Sequence, residues 1–122
     1  MVAKTSVRTP GAVSTARRTR LALPSEPELE ATVRMLDAIG DPTRLRLLLV
    51  LVQRDELRVS ELASVTGTLE STTSHALRIL RTGGLVRTRR AGREIFYRLA
   101  DEHVLHMIAD LVEHALRCGR PT

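Results

Sequence analysis

Two short amphipathic helices separated by a single glycine leave few folds open to a small chain, and residues 59–84, VSELASVTGTLESTTSHALRILRTGG, read that way. Ser60, with Glu61 close behind, is the expected cap of a helix over SELASVTG that Gly67 breaks. The next helix is expected from about Leu69 to Arg81, ending at Gly83-Gly84. Leu69, Thr73, Ala76, Leu77 and Leu80 recur at helical spacing on one face, which turns Ser71, Thr72, Ser74, His75 and Arg78 to the other. Such a pair, with small polar donors facing outward on its second helix, predicts a helix-turn-helix.

The flanking segments extend this pattern. Ser25 followed by Glu26, Glu28 and Glu30 marks a helix start, and Leu29, Val33, Leu36 and Ile39 follow at helical spacing until Gly40. Asp41, Pro42 and Thr43 cap a second helix, RLRLLLVLVQR, whose leucines cover more than one face, so it is expected to be the central buried helix. Leu57 and Val59 suggest a very short strand. After the helix-turn-helix, Val86 and Thr88 alternate before the polar tip Arg90-Ala91-Gly92-Arg93, and Ile95, Tyr97 and Leu99 alternate after it. That is a β-hairpin placed as a wing. A final helix is expected over DEHVLHMIADLVEHALRC, Asp101 to Cys118, with Val104, Ile108, Leu111 and Ala115 on its apolar side.

Phe96 and Tyr97 are the only aromatic residues, so the core must be built from Leu, Val, Ile and Ala, which favours packed helices. The expected fold is mainly α with a small β-hairpin, in one domain over residues 26–118. Residues 1–25 mix Thr, Ser, Arg, Ala, Pro and Gly without apolar periodicity and read as a disordered basic arm, and 119–122 as a short tail. One cysteine cannot form an internal disulfide, and neither a twenty-residue apolar run nor a secretory signal is visible, so a cytoplasmic protein without a membrane partner is expected. No nucleophile is paired with a base and no phosphate-binding glycine loop occurs, so an enzyme is not expected.

Charge is unevenly spread. The net excess of +5 equals the five basic residues of positions 1–25. From Ser71 to Arg98 seven arginines stand against Glu94, whereas from Asp101 to Cys118 four acids stand against Arg117. A basic middle suits a polyanion and an acidic end suits a cation. Hydroxyls on the outward face of the second helix can bond phosphates or base edges, and Arg78 can fork onto guanine. Arg87, Arg89, Arg90 and Arg93 on the wing can reach backbone or minor groove beside it. Double-stranded operator DNA is therefore the expected partner. The plainer alternative is a solvated helix face and a charged hairpin.

The stretches DPTRLRLL, ELRVSELA, STTSHALRILRTGGLV and RRAGREIFYRL together resemble the ArsR/SmtB family of winged-helix metalloregulatory repressors, from about residue 28 to the end. The resemblance implies a homodimer joined through the first and last helices, a recognition helix around Ser71 to Arg81, and release from operator DNA by metal. Members with a thiolate sensor carry ELCVCDLA where this chain has ELRVSELA, so Arg58 and Ser60 replace both cysteines and a soft-metal site is missing there. Another family pattern lies on the last helix: Asp-x-His, ten residues, His, two residues, then His or Glu. Asp101, His103 and His114 match it, and Arg117 fills the fourth position.

His103 and His114 are eleven residues apart. On one helix that places them within roughly 20° of the same face but about 16 Å apart along the axis. Bonds of about 2.0 to 2.3 Å cannot span this from one ion. Two copies of the helix packed antiparallel would bring Asp101 and His103 of one to His114 of the other, making two symmetric sites. Such ligands favour zinc, cobalt or nickel, and a sulfur ligand extends the range to cadmium. Water, His106, Glu113 and Cys118 are open as the fourth ligand, with Cys118, one turn beyond His114, ranked first. The alternatives are a merely solvated stripe, a repressor of the same fold without a metal input, and a metal-buffering protein whose basic arm binds nucleic acid.

Overall fold

A computed structural model describes residues 22–119. Most of the expected basic arm and of the C-terminal tail therefore lies outside the described residues. The elements, in chain order, are α1 (Glu26–Ile39), α2 (Pro42–Gln53), β1 (Leu57–Arg58), α3 (Val59–Thr66), α4 (Glu70–Thr82), β2 (Val86–Ala91), β3 (Glu94–Leu99) and α5 (Glu102–Cys118). A small antiparallel sheet of order β1-β3-β2 stands beside the helices, its hairpin mostly exposed, and the whole is a winged helix-turn-helix. Among the described residues, no helix is long and apolar enough to cross a membrane.

The helix starts follow local chemistry. Ser25 and Glu28 form a reciprocal capping box: the Ser25 hydroxyl accepts from the Glu28 amide at 3.3 Å, and the Glu28 carboxylate accepts from the Ser25 amide at 2.8 Å. That backbone bond, reinforced by the hydroxyl, holds the Glu28 carboxyl below its ordinary pKa. Asp41 caps α2 by accepting from the Arg44 amide at 3.0 Å, and Pro42 fills the first turn, where no amide donor is needed. Arg44 turns back to donate to the carbonyls of Ala38 (2.7 Å) and Asp37 (3.1 Å), closing the C-terminal end of α1.

One boundary differs from expectation. Ser60 does not cap α3; Arg58 occupies that position and Val59 is already helical. Pairing of Arg58 with Phe96 holds its backbone extended, and the Glu61 carboxylate accepts the Arg58 amide at 2.9 Å, so the helix begins earlier.

The core is aliphatic, as the composition demanded. Leu47 and Leu48 of α2, Leu62 of α3, Leu77 and Leu80 of α4, and Ile108 of α5 are fully buried. At about 1.5 to 3 kcal/mol for each large apolar side chain removed from water, these six are the main cohesive element. The buried Thr73 hydroxyl donates to the Leu69 carbonyl at 2.9 Å, so it leaves no orphan polar group. Two helices keep apolar faces outside this core: Leu29, Val33 and Leu36 on α1, and Met107, Leu111 and Leu116 on α5, are exposed.

Candidate functional site

Helices α3 and α4 meet at Gly67, whose φ of 68° is a left-handed conformation that a side chain would strain. The turn directs α4 across α3, with Thr73, Ala76, Leu77 and Leu80 buried beneath it. On the opposite face Ser71, Thr72, Ser74, His75 and Arg78 are all exposed. The five residues expected to read DNA thus share one open surface on a helix anchored at nearly every turn. Hydroxyls and a guanidinium held so rigidly suit a groove better than they would on a loop.

Beside this surface β2 and β3 pair from Val86↔Leu99 to Ala91↔Glu94, leaving Gly92-Arg93 as a two-residue turn. Gly92 takes φ 64°, the positive value that such tight turns require. Arg87, Arg90 and Arg93 are exposed and make no ion pair among the described residues. Arg89 is different. Its guanidinium donates to both oxygens of Glu56 at 2.8 to 3.1 Å and lies 4.9 Å from the Phe96 ring centroid. This pairing holds the Glu56 carboxyl below its ordinary pKa and raises that of Arg89.

A second clamp ties the wing to α3. Arg58 donates to Glu61 at 3.2 Å and to Glu94 at 3.0 Å, which raises its own pKa and, with its backbone amide, lowers that of Glu61. The position where a thiolate sensor would stand is therefore filled by a cation joining two elements. Sequence reading missed Glu56, Glu61 and Glu94 as wing-positioning residues. Glu94 carried the one available signal, being the only acid in a run of seven arginines.

On α5 the candidate metal ligands form two pairs near its two ends. Asp101 is the helix N-cap, its Oδ1 accepting from the Val104 amide at 3.0 Å, and that oxygen lies 3.9 Å from His103 Nδ1. His114 Nδ1 lies 3.9 Å from Cys118 Sγ. Helical spacing puts His103, Met107, His114 and Cys118 on one stripe, and all are exposed, His103 with 91% of its side chain. Among the described residues no three acids, histidines or cysteines of the single chain converge on one point. His106 and Glu113 lie on the exposed side, and Glu113 is engaged by Arg117 at 2.7 Å. The sequence reading expected Val104, Ile108, Leu111 and Ala115 to form the apolar side. Only Val104 and Ile108 of these are buried, while Leu111 is 48% exposed because, among the described residues, no other element covers it.

Comparison with known proteins gives a consistent result. Residues 41–88 match the family model described as bacterial regulatory protein, arsR family. The chain is 47% identical over 77 residues to the transcriptional repressor SmtB homolog of Synechocystis sp., covering 63% of this chain and 58% of that protein. It is 37% identical over 99 residues to the HTH-type transcriptional regulator NmtR of Mycobacterium tuberculosis, covering 80% of this chain and 82% of that one. A homodimeric winged helix-turn-helix DNA-binding domain from Mycobacterium bovis, a possible ArsR-family regulator, superposes with a TM-score of 0.69 at 31% identity, covering 84% of this chain and 98% of that one.

Proposed function

The chain belongs to the ArsR family of bacterial regulatory proteins, and from that premise we propose that it is a cytoplasmic, homodimeric transcriptional repressor that leaves its operator when a divalent transition metal binds at the dimer interface. Such a protein regulates transcription and is not an enzyme. Ser71, Thr72, Ser74, His75 and Arg78 read the groove, and Arg87, Arg90 and Arg93 contact the flanking backbone. Arg89 serves the wing mainly through its clamp on Glu56.

The observation that carries the metal reading is the separation of donors into two incomplete pairs on one exposed stripe of α5. Neither pair meets a third ligand among the described residues, and apolar Met107 and Leu111 lie between them, exposed and able to pack on a second copy. Asp101 and His103 of one protomer with His114 and Cys118 of the other would hold the ion. Two imidazoles, a carboxylate and a thiolate suit zinc first, with nickel, cobalt and cadmium also accepted, whereas one cysteine cannot supply an all-thiolate site. When bound, the ion supplies a cross-link between the two α5 helices. For release to follow, the metal-loaded dimer must favour a conformation with lower operator affinity, because equal affinity for both states shifts nothing.

The test begins with selection of binding sites from random duplex DNA. A palindrome is expected, with half-sites about 34 to 36 Å apart or a multiple of that. Zinc, nickel, cobalt or cadmium should weaken binding by about 5- to 150-fold. His103→Ala and His114→Ala should each abolish this response. Mixed dimers of the two variants retain one site with both histidines and should recover part of it. Mixed dimers as unresponsive as either parent, beside responsive dimers carrying one intact wild-type site, would overturn the cross-subunit assignment.

A further inference from the structure

A cleft of about 470 Å³ opens between α1 and α4, on the side of α1 opposite its exposed apolar face. Its size falls within the range of about 300 to 1,000 Å³ typical of small-molecule sites. The floor is apolar, formed by Ala31, Met35 and Ala38 of α1 and Ile79 of α4. Arg34 and Arg78 stand at its rim and make no ion pair among the described residues. Arg44 also lines it, but its guanidinium is occupied by the carbonyls at the end of α1 and by Asp41. Asp37 is the single acid in the lining, so cations outnumber it by three to one.

An apolar floor beneath two uncommitted guanidinium groups selects for a molecule with an apolar body and a negative head. Arginine recognises a carboxylate through two parallel hydrogen bonds, and the apolar floor excludes the water that would otherwise weaken them. Dimerisation need not close the cleft. Leu29, Val33 and Leu36 lie on α1 about 180° from Ala31, Arg34 and Ala38, so a partner seated on the first set leaves the second open.

We propose that this cleft binds a small monocarboxylate with an apolar body, and that its occupancy opposes DNA binding because Arg78 belongs both to the cleft rim and to the outward face of α4. The second half rests on the reading of α4 as the DNA-reading helix. The first half does not. The protein would then take a second chemical signal, independent of the α5 stripe.

Methionine-methyl NMR of the full chain separates the two halves. The sequence holds three methionines, Met1, Met35 and Met107. Met35 lines the cleft and Met107 lies on α5, so one reports the site and the other serves as control. Decanoate should shift the Met35 resonance saturably and leave Met107 in place, whereas decyltrimethylammonium, with the same tail and opposite charge, should shift neither. Arg34→Gln, a surface change, should weaken decanoate binding by about two- to fivefold. Ala31→Phe should fill the cleft and abolish it. On the selected operator, decanoate should lower the affinity of the wild type but not of Ala31→Phe.

Equal binding of the cationic analogue, equal shifts at Met35 and Met107, or unchanged decanoate affinity in Arg34→Gln would overturn the site. Saturable decanoate binding with unchanged operator affinity would overturn the competition through Arg78. If no operator is selected at all, the DNA reading fails while the NMR result still decides the site.

Discussion

Helices α4 and α5 are both amphipathic, yet they relate differently to the rest of the chain. Buried Thr73, Ala76, Leu77 and Leu80 pin α4 along most of its length, so a single copy fixes the backbone that carries its outward side chains. Helix α5 is held through its first half, by buried Val104 and Ile108 with Leu105 packed beside them, and Met107, Leu111 and Leu116 face solvent. The outward face of α4 is complete within one chain, whereas the α5 stripe is, on the proposed reading, half of a surface that a second copy completes. The proposed function draws on this asymmetry, because an element that switches has to be less firmly held than the one it controls.

The strongest way to break the comparison is through the core. Leu80→Ala should lower unfolding stability by about 2 to 5 kcal/mol, since a fully buried leucine is replaced by a cavity. Leu111→Ala should cost less, and its cost should shrink as protein concentration falls, because on the proposed reading Leu111 packs against a second copy and contributes only while the dimer is populated. Denaturation at several concentrations distinguishes the two. Equal behaviour would show that α5 belongs to the monomer core.

Function should divide along the same line. Arg78→Ala should cost about 1 to 3 kcal/mol on the selected operator and relax base preference at one position. His114→Ala should leave metal-free operator affinity nearly unchanged while removing the metal response. Operator titration with and without zinc checks both.

Asp101 is both a helix cap and a candidate ligand. Asp101→Ala should destabilise α5 by about 1 kcal/mol and also impair the metal response. Asp101→Asn keeps a capping oxygen but loses the charge, so stability should stay near wild type while metal affinity falls. If metal affinity is unchanged in Asp101→Asn, the side chain is only a cap.

The smallest effect belongs to the wing clamps. Glu56 and Glu61 hold folded pKa values below their ordinary ones, so their contribution is fully present above the usual glutamate pKa of about 4.3 and is lost as pH falls through the depressed values. NMR of the Arg89 side-chain N–H should therefore show the clamp intact from pH 6 to 8 and released only in acid. Glu56→Gln should leave the fold unchanged and increase the salt dependence of DNA binding by about one phosphate contact, as Arg89 becomes available to DNA.

Local chemistry made much of the fold legible in the sequence. The Ser25 and Glu28 capping box, Asp41-Pro42, the Gly67 break and the alternation through β2 and β3 each act over a few residues, where backbone geometry and hydrogen-bond reach decide the outcome. The outward face of α4 followed from the same periodicity, as did the impossibility of one chain joining His103 to His114. Only the tertiary structure decided that Arg89 meets Glu56 across 33 positions, that Arg58 meets Glu94 across 36, and that α1 and α4 leave a cleft between them. Periodicity identifies a face as apolar without saying what covers it, which is why Leu111 was expected to join Val104 and Ile108 yet stands exposed. Those outcomes depend on which elements the folded path of the chain brings side by side, and no short-range pattern encodes that path.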